Sequence, residues 1–292
     1  MFAVDYTDEG VRVWERDGET ATSRLDPDYR PTIYVAADDW ETLSAHRPDV
    51  DAHPQVADTA RESWRRGFRH DHEPVLRVDV TDIDSVTPLA RAISGFGRPG
   101  ELRLFNVDFT RQFRYCLETD CEPDPDADLR TLELATPEPQ FAREVPGLTE
   151  VTVDGEQTVT GSPVGVLETV LDRVHARDPD VLVLSSAEIV PALFAVAEAH
   201  DLGPVELGRE PGYTQLAGES TFESYGRVGH SPARYTVPGR AIIDRSNTFF
   251  YHQTNLAGCL DLVGRSGKPI QELSWASIGN VLTAMQIHEA MA

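Results

Sequence analysis

Short runs of alternating hydrophobic and polar residues recur along this chain and predict many short β-strands. We expect a strand wherever such a run, or a short apolar run, is bounded by turn-forming residues. The predicted strands are Phe2–Tyr6, Val11–Glu15, Thr32–Ala36, Leu76–Val80, Leu102–Val107, Leu129–Leu134, Leu148–Val153, Gln157–Thr160, Val181–Leu184 and Arg240–Ile243. The pair Asp154-Gly155 separates two of these runs and is typical of a β-hairpin turn.

Apolar residues at helical spacing predict helices between the strands. Such spacing is clearest in Ile83–Ile93 and Pro163–Ala176, where the apolar positions recur every three or four residues. Four further helices are predicted at Asp38–Ala45, Ile189–His200, Leu256–Val263 and Ser274–Ala290. The segment Gly212–Gly239 lacks either periodicity and predicts a loop.

The order of these elements predicts an α/β protein. An α+β part comes first, and Glu122–Asp126, with two prolines and three acids, reads as a linker. The second part runs strand, hairpin, helix, strand, helix, strand, which predicts a mixed sheet covered by helices. This is the element order of ribonuclease-H-like nucleases. The G-x-G-x-x-G run at Gly95–Gly100 follows a helix and precedes a strand, so it predicts a connecting turn and not a dinucleotide site.

The charge of the chain is strongly negative and unevenly distributed. It carries 49 acids against 26 bases, for a net charge of −23, and Lys268 is the only lysine. This balance favours a halophilic protein, because carboxylates hold water and salt screens their repulsion; an acidic mesophilic protein is the alternative. Thr221–Ala292, however, holds six bases and five acids. A neutral region in an acidic chain predicts a surface that meets an anionic partner.

The three cysteines, Cys116, Cys121 and Cys259, show neither a disulfide framework nor a zinc-binding pattern. The amino terminus resembles no signal peptide, and no apolar run is long enough to span a bilayer. We therefore expect a cytoplasmic protein with no membrane partner. His70-Asp71-His72 is a candidate metal pair, but it lacks further ligands, so a surface loop is the favoured interpretation.

Two stretches contain candidate nucleic-acid-binding residues. The tail places arginines and tyrosines in a segment expected to be flexible, where they can meet phosphates and stack on bases; a plain solvated loop is the alternative. The DNA-binding candidates are Arg227, Arg234, Tyr235, Arg240 and Arg245. Arg61–His72 is also basic, and it predicts either a solvated surface segment or a DNA-facing patch.

Three blocks of sequence resemble the N-terminal part of an archaeal family B DNA polymerase, and in particular divergent, inactivated members from salt-adapted archaea. These blocks are LRVDV with ELRLFNVDFTRQFRYCLETDCEP; LRTLELA with DPDVLVLSS and PGRAIID; and LVGRSGKPIQELSWASIGNVLTAMQIHEA. The resemblance implies three domains. They are an N-terminal-like domain at 1–125, a ribonuclease-H-like 3′–5′ exonuclease-like domain at 126–255, and the truncated start of a helical palm region at 256–292.

The resemblance also implies an exonuclease site at which carboxylates hold two metal ions. The family's first motif is Asp-x-Glu, and the corresponding positions here fall near Ala135 and Pro137, with Glu133 close by. By strand alternation, Glu133 could face either side of the sheet, depending on register. In the second motif the aspartate is missing, and Glu188 and Pro191 stand nearby. The third motif, Tyr-x-x-x-Asp, has no counterpart, so we expect no metal site and no cofactor, although the family uses Mg²⁺.

We therefore expect a family B polymerase-like protein of DNA replication or repair. It would bind a single strand or a primer-template while lacking catalytic carboxylates of its own, and its status as an enzyme is left open. One alternative is a subunit of a split DNA-directed DNA polymerase, completed by a separately encoded palm polypeptide. The other is a truncated fragment without a function.

Overall fold

The structure is a computed structural model that describes residues 1–67, 69–119, 121–137, 148–224, 227–248 and 250–291. The side chains at 222, 224, 227–229 and 289–291 are not described. The chain forms two compact units. Residues 1–25 and 122–292 form one of them, here called the two-segment unit, and residues 26–121 form the inserted unit.

The first strands of the chain belong to the two-segment unit. They form a three-stranded sheet in the order β1-β2-β3, made of β1 (Ala3–Thr7), β2 (Gly10–Asp17) and β3 (Thr20–Asp26). The amide of Val4 donates to the side chain of Gln271, and the amide of Gly239 donates to Asp5 at 2.7 Å. These bonds explain why residues 1–25 group with the later part of the chain, unlike the predicted 1–125 domain. The functional division into three domains stays a prediction.

The inserted unit is a four-stranded antiparallel sheet with helices. Its strands are β4 (Thr32–Ala36), β5 (Val56–Arg65), β6 (His72–Val80) and β7 (Arg103–Phe105), in the order β5-β6-β4-β7. Its helices are α1 (Trp40–Asp51), α2 (Val86–Ser94) and α3 (Arg111–Thr119), with a 3₁₀ turn at Ile83–Ser85. The apolar face predicted for Ile83–Ile93 is buried in the core of this unit, beside Ile33 and Val78.

The rest of the two-segment unit is built around a five-stranded sheet. Its elements, in chain order, are β8 (Thr131–Ala135), β9 (Glu150–Val153), β10 (Gln157–Thr160), α4 (Pro163–Arg177), β11 (Val181–Leu184), α5 (Ile189–Ala199), β12 (Thr214–Ala217), β13 (Ser220–Ser224), β14 (Arg227–Ser231), β15 (Arg234–Thr236), β16 (Ala241–Asp244), α6 (Tyr251–Ser266), α7 (Ile270–Leu273) and α8 (Ile278–Met291). The sheet order is β10-β9-β8-β11-β16. Strands β8, β11 and β16 are parallel, whereas β9 is antiparallel to its neighbours. This arrangement confirms the predicted α/β class and the ribonuclease-H-like order.

Both faces of this central sheet are covered, which accounts for the all-apolar strand Val181–Leu184. On one face, Leu182 and Leu184 pack in a core that includes residues of α4 and α5. On the other face, Val181 and Val183 pack with residues of α6, α7 and α8 and with Phe2. Alternate residues of one strand therefore belong to different cores, because successive side chains of a strand point to opposite faces.

Two predictions of secondary structure are wrong. The segment Gly212–Gly239 is not a loop, since β12 pairs with β15 and β13 pairs with β14. These strands are three to five residues long, too short to establish a period-two pattern. The predicted helix Ser274–Ala290 is shorter at its start, where the Ser274 hydroxyl instead accepts a hydrogen bond from the amide of Asp244. The hydroxyl of Ser277 accepts a hydrogen bond from the amide of Asn280 at 3.2 Å. Ser277 therefore acts as the N-terminal capping residue of α8.

Within the described ranges, no helix is both long enough and apolar enough to cross a membrane.

Candidate functional site

The parallel strands β8, β11 and β16 end at the same edge of the central sheet. In open α/β sheets this carboxyl edge is where ligands bind. The polar side chains placed there are, in this chain, Glu133, Glu188, Tyr235, Asp244 and Arg245, which we call the sheet-edge site. Two acids predicted from the sequence, Glu133 and Glu188, therefore belong to one region of the fold.

The register of the sheet decides which way each acid faces. Glu133 lies opposite Val183, and Val183 lies opposite Ile243. One position further along, Asp244 lies opposite Leu184. Since neighbouring positions of a strand alternate, Glu133 belongs to the face covered by α6–α8 and Asp244 to the face covered by α4 and α5. This answers the question of register that the sequence left open.

Glu133 forms an ion pair with Arg245. The two residues lie on either side of β11, and both side chains are about one third exposed (31% and 38%). The backbone of Glu133 is held by Asp154, whose carboxylate accepts the Glu133 amide at 3.0 Å. The backbone of Arg245 is held by the carbonyl of Leu184, which accepts its amide at 2.9 Å. Hydrogen bonds to their backbone amides thus hold both Glu133 and Arg245 in place.

The acids on the opposite face also have internal partners. The hydroxyl of Tyr235 donates to the carboxylate of Glu188 at 3.2 Å. The amide and hydroxyl of Ser246 donate to Asp244 at 2.9 and 2.7 Å. Burial raises the pKa of both Glu188 and Asp244 above the ordinary carboxylate range. Burial, followed by the charge of Glu188, raises the pKa of Tyr235 to about 12, so this hydroxyl remains a donor at neutral pH.

A narrow pocket opens beside these acids. It is lined by Arg234, Tyr235, Asp244, Asn247, Ser274 and Trp275, among others. Its free space, about 10 Å³, has room for roughly one water molecule. The guanidinium of Arg234 lies 5.8 Å from the centre of the Trp275 ring, a cation–π distance. Partial burial lowers the pKa of Arg234. The pocket therefore combines a cation and an aromatic ring, the two groups that meet a phosphate and a base.

Among the described residues, the acids of the sheet-edge site do not converge on one point. Ala135 and Pro137, at the expected first motif, have no carboxylate, and Pro191 lies inside α5. Glu133 is already paired with Arg245 and faces away from the side of Asp244. Nor do the described residues contain any cluster of three or more His, Cys, Asp or Glu side chains placed to hold a metal ion. The described residues around His70-Asp71-His72 likewise form no such cluster.

The predicted DNA contact Arg240 lies elsewhere and is buried, with 3% of its surface exposed. Its guanidinium contacts Asp178 at 2.9 Å, and its Nε donates to the carbonyl of Leu207 at 3.1 Å. Burial, together with the nearby charge of Arg209, lowers the pKa of Arg240 to about 10. The residue precedes β16, at the opposite end of the strand from the sheet-edge site. Arg240 therefore belongs to a buried network of charges and hydrogen bonds, and its contact with DNA stays a prediction.

The other DNA-binding candidates divide into two groups. Arg234 and Tyr235 line the pocket, where Tyr235 is largely buried and directs its hydroxyl to Glu188. Arg245 instead pairs with Glu133 on the other face of the sheet. The side chain of Arg227 lies outside the described residues. DNA contact by these residues stays a prediction.

One residue of the sheet-edge site and one residue of its pocket were not selected from the sequence. Asp244 was passed over, although an acid that ends the buried strand Ala241–Asp244 is a usable signal for the carboxyl edge of a sheet. Trp275 is part of a block that carries the family resemblance, but the sequence did not identify it as a DNA-binding candidate. Its position over the Arg234 guanidinium depends on the turn between α7 and α8, which the sequence pattern did not predict.

No protein-family model and no curated protein matches the chain. Among solved structures, the chain is similar to the family B DNA polymerase from the hyperthermophilic archaeon Pyrobaculum calidifontis. The two share a TM-score of 0.67 at 18% sequence identity, over 99% of this chain and 49% of that one. The chain thus spans about half the length of that polymerase. Its fold is that of a family B DNA polymerase over this half.

Proposed function

We propose that this chain is a family B DNA polymerase-like protein that binds DNA during replication or repair, and that it neither cleaves nor extends DNA by itself. The observation that carries the proposal is that the acids of the sheet-edge site lie on opposite faces of the central sheet. Glu133 is bound by Arg245 on one face, while Asp244 and Glu188 have their own partners on the other. Two-metal nucleases need several carboxylates that converge on shared cations. The fold is similar to that polymerase over the matched half, and the described acids of the sheet edge do not converge in this way.

DNA binding is supported by the Arg234–Trp275 pair and by the local charge. The region Thr221–Ala292 is close to neutral in a chain of net charge −23. An arginine beside an aromatic ring can meet a phosphate and a base in the same strand. The pocket itself admits only about one water molecule, so the bound strand would lie across its mouth.

The absence of cleavage is tested with single-stranded DNA and either Mg²⁺ or Mn²⁺ on a denaturing gel. We expect no shortening of the strand by the wild-type chain. Glu133→Gln serves as the matched variant, because it removes the charge of the described acid on β8 beside the expected first motif. Shortening by the wild-type chain that disappears in Glu133→Gln would overturn the non-catalytic part of the proposal.

DNA binding is tested separately by fluorescence anisotropy with a labelled primer-template over a range of salt. Replacing one phosphate-contacting arginine is expected to weaken binding several-fold and to lower the slope of log affinity against log salt by about one. We expect this of Arg234→Gln. Arg265→Gln is the control, since Arg265 lies on the exposed side of α6 and pairs with Asp261. Equal loss in the two variants would contradict a specific role for Arg234.

A split polymerase is a second candidate, favoured by α8. Ile278 and Leu282 lie one turn apart on this helix and remain 51% and 55% exposed. An exposed apolar helix face of this kind is suited to a partner. The candidate predicts co-purification with a palm-containing polypeptide, lost in Ile278→Ser/Leu282→Ser. Retention of the partner by that double variant would contradict it.

A further inference from the structure

The residues around α7 connect the strand β15 to the pocket beside the sheet-edge site. All four residues of α7, Ile270–Leu273, are buried. The side-chain amide of Gln271 donates to the hydroxyl of Thr236 on β15, at 2.9 Å. Trp275 follows two residues after the helix and contacts Arg234, which lies two residues before Thr236 on the same strand. The α7 segment therefore fixes the position of Trp275 relative to Arg234.

A buried ion pair lies in this segment. The Nζ of Lys268 is 2.5 Å from the Oε2 of Glu272, and the two residues are 6% and 1% exposed. Lys268 is the only lysine of the chain. An unpaired charge in the interior is costly, so each of these two charges depends on the other. The pair is electrically neutral only while both members are present.

The negative charge of Glu272 also acts on Arg234. Burial lowers the pKa of Arg234, and the charge of Glu272 opposes this shift because it favours the charged guanidinium. A carboxylate near an arginine also competes with a phosphate for the same positive charge. With Lys268 present, one positive charge remains after Glu272 is neutralised; without Lys268, Glu272 would cancel the charge of Arg234. Asp244, held by Ser246, lines the same pocket and is left unchanged in the variants below.

We propose that Lys268 controls the affinity of this pocket for DNA without contacting DNA itself. By neutralising Glu272, it leaves the charge of Arg234 available to a phosphate of the bound strand. Lys268 and Glu272 are therefore positioning residues, which act through Arg234. The inference rests on the DNA-binding role proposed above for Arg234. It requires that removal of Lys268 weakens binding and that removal of the Glu272 charge strengthens it.

The experiment measures binding of the full chain to a labelled primer-template by fluorescence anisotropy over a range of salt. We expect Lys268→Met to weaken binding several-fold, as is expected of Arg234→Gln, and to lower the salt slope by about one. Glu272→Gln should strengthen binding several-fold, because it removes the competing carboxylate. Lys268→Met/Glu272→Gln removes both charges and should return the affinity close to that of the wild type. A role in packing alone predicts neither this gain nor this recovery.

Asp261→Asn is the matched control for Glu272→Gln. It also removes one negative charge from a pair with a base four residues away, but Asp261 and Arg265 are exposed on α6. We expect Asp261→Asn to bind DNA like the wild type. An equal gain in Asp261→Asn and Glu272→Gln would reflect the net charge of the chain alone and would overturn the inference.

The same variants separate this inference from the proposed function. Loss of affinity in Arg234→Gln with none in Lys268→Met overturns the inference and leaves the proposed function standing. Unchanged affinity in Arg234→Gln, or no binding by the wild-type chain, overturns both. A folded double variant that binds as weakly as Lys268→Met reveals a packing defect and also overturns the inference.

Folding of each variant is checked by circular dichroism. If Lys268→Met is unfolded, Glu272→Gln decides: a gain in affinity supports the inference, and unchanged or weaker binding overturns it. If Glu272→Gln is unfolded as well, the double variant decides, with wild-type affinity as the supporting result and weaker binding as the result that overturns the inference.

Discussion

Glu133 and Arg245 form an ion pair across β11, although Glu133 lies in β8 and Arg245 directly follows β16, two strands that are not neighbours in the sheet. The pair links the ends of β8 and β16 at the edge where the resemblance implies metal ions. The Arg245 guanidinium thus neutralises Glu133, the acid on β8 close to the expected first motif. The pair is partly exposed, so solvent and salt screen its attraction.

This pair should contribute little to stability. Urea unfolding of the wild type, Glu133→Ala, Arg245→Ala and the double variant gives the coupling free energy. We expect about 0.5–1 kcal/mol at low salt and less in concentrated salt, as for other partly exposed pairs. A coupling several times larger, or one that salt does not change, would show that the pair behaves as if it were buried.

The buried charges around Asp180 should behave differently. Asp180 is fully buried and accepts from Arg16 at 2.6 Å and from Arg209 at 2.8 Å. Removing Asp180 leaves the buried guanidinium of Arg16 without its carboxylate partner, while Arg209 keeps its contact with Asp178. We expect Asp180→Ala to lower the free energy of unfolding by about 3–5 kcal/mol in a denaturant titration. Asp261→Ala, which breaks the exposed pair with Arg265, is the control and should unfold like the wild type. Similar curves for the two variants would contradict the prediction.

Asp5 should make stability fall as pH rises through the mildly acidic range. Its carboxylate accepts from Trp14 Nε1 at 2.8 Å and from the Gly239 amide at 2.7 Å, but burial outweighs these bonds and raises its pKa to about 6. Between pH 3.8 and about 6 the folded state keeps a proton that the unfolded chain has lost. Stability from this group is therefore greatest below the unfolded pKa and decreases until about pH 6.

The variant Asp5→Asn isolates this effect, because an amide oxygen can still accept the two hydrogen bonds. The difference in free energy of unfolding between wild type and Asp5→Asn should change by about 2–3 kcal/mol from pH 4 to pH 7. The wild type should lose stability relative to the variant as the pH rises. Chemical unfolding at several pH values measures this, and a difference that stays constant with pH would contradict the predicted shift.

Gly239 should tolerate no side chain. It has a φ of +73°, and a Cβ placed there would lie 2.8 Å from the Trp14 ring. Gly155 has a similar φ of +69° with open space around the Cβ position. Alanine at either position is strained by about 1–2 kcal/mol, because its backbone must adopt a positive φ. Only Gly239→Ala also places a Cβ too close to the Trp14 ring. We therefore expect Gly239→Ala to melt clearly below Gly155→Ala in a thermal scan; equal melting temperatures would contradict the clash.

The element order of the central sheet was predictable because it depends on local patterns. The apolar run Val181–Leu184, the Asp154-Gly155 turn and the helical spacing in Pro163–Ala176 are each visible within a few residues of sequence. The strands between Gly212 and Gly239 were not predictable by the same reasoning. They are short, and their pairing is determined by partners rather than by a repeating pattern.

Charge and composition were poorer guides to individual residues. Arg234 and Arg240 lie six positions apart and have the same chemistry, yet Arg234 lines a pocket and Arg240 is buried against Asp178. Only the partners around each guanidinium distinguish them, and those partners come from distant parts of the chain.

By itself, the sequence determined the α/β class, the order of the central strands and the excess of negative charge. Each of these depends on local periodicity or on simple counting. Tertiary structure decided that the first 25 residues belong with the later part of the chain, and that Glu133 and Asp244 lie on opposite faces of one sheet. The physical reason is strand register. A shift of one residue reverses every side chain of a strand, and long-range pairing determines that register.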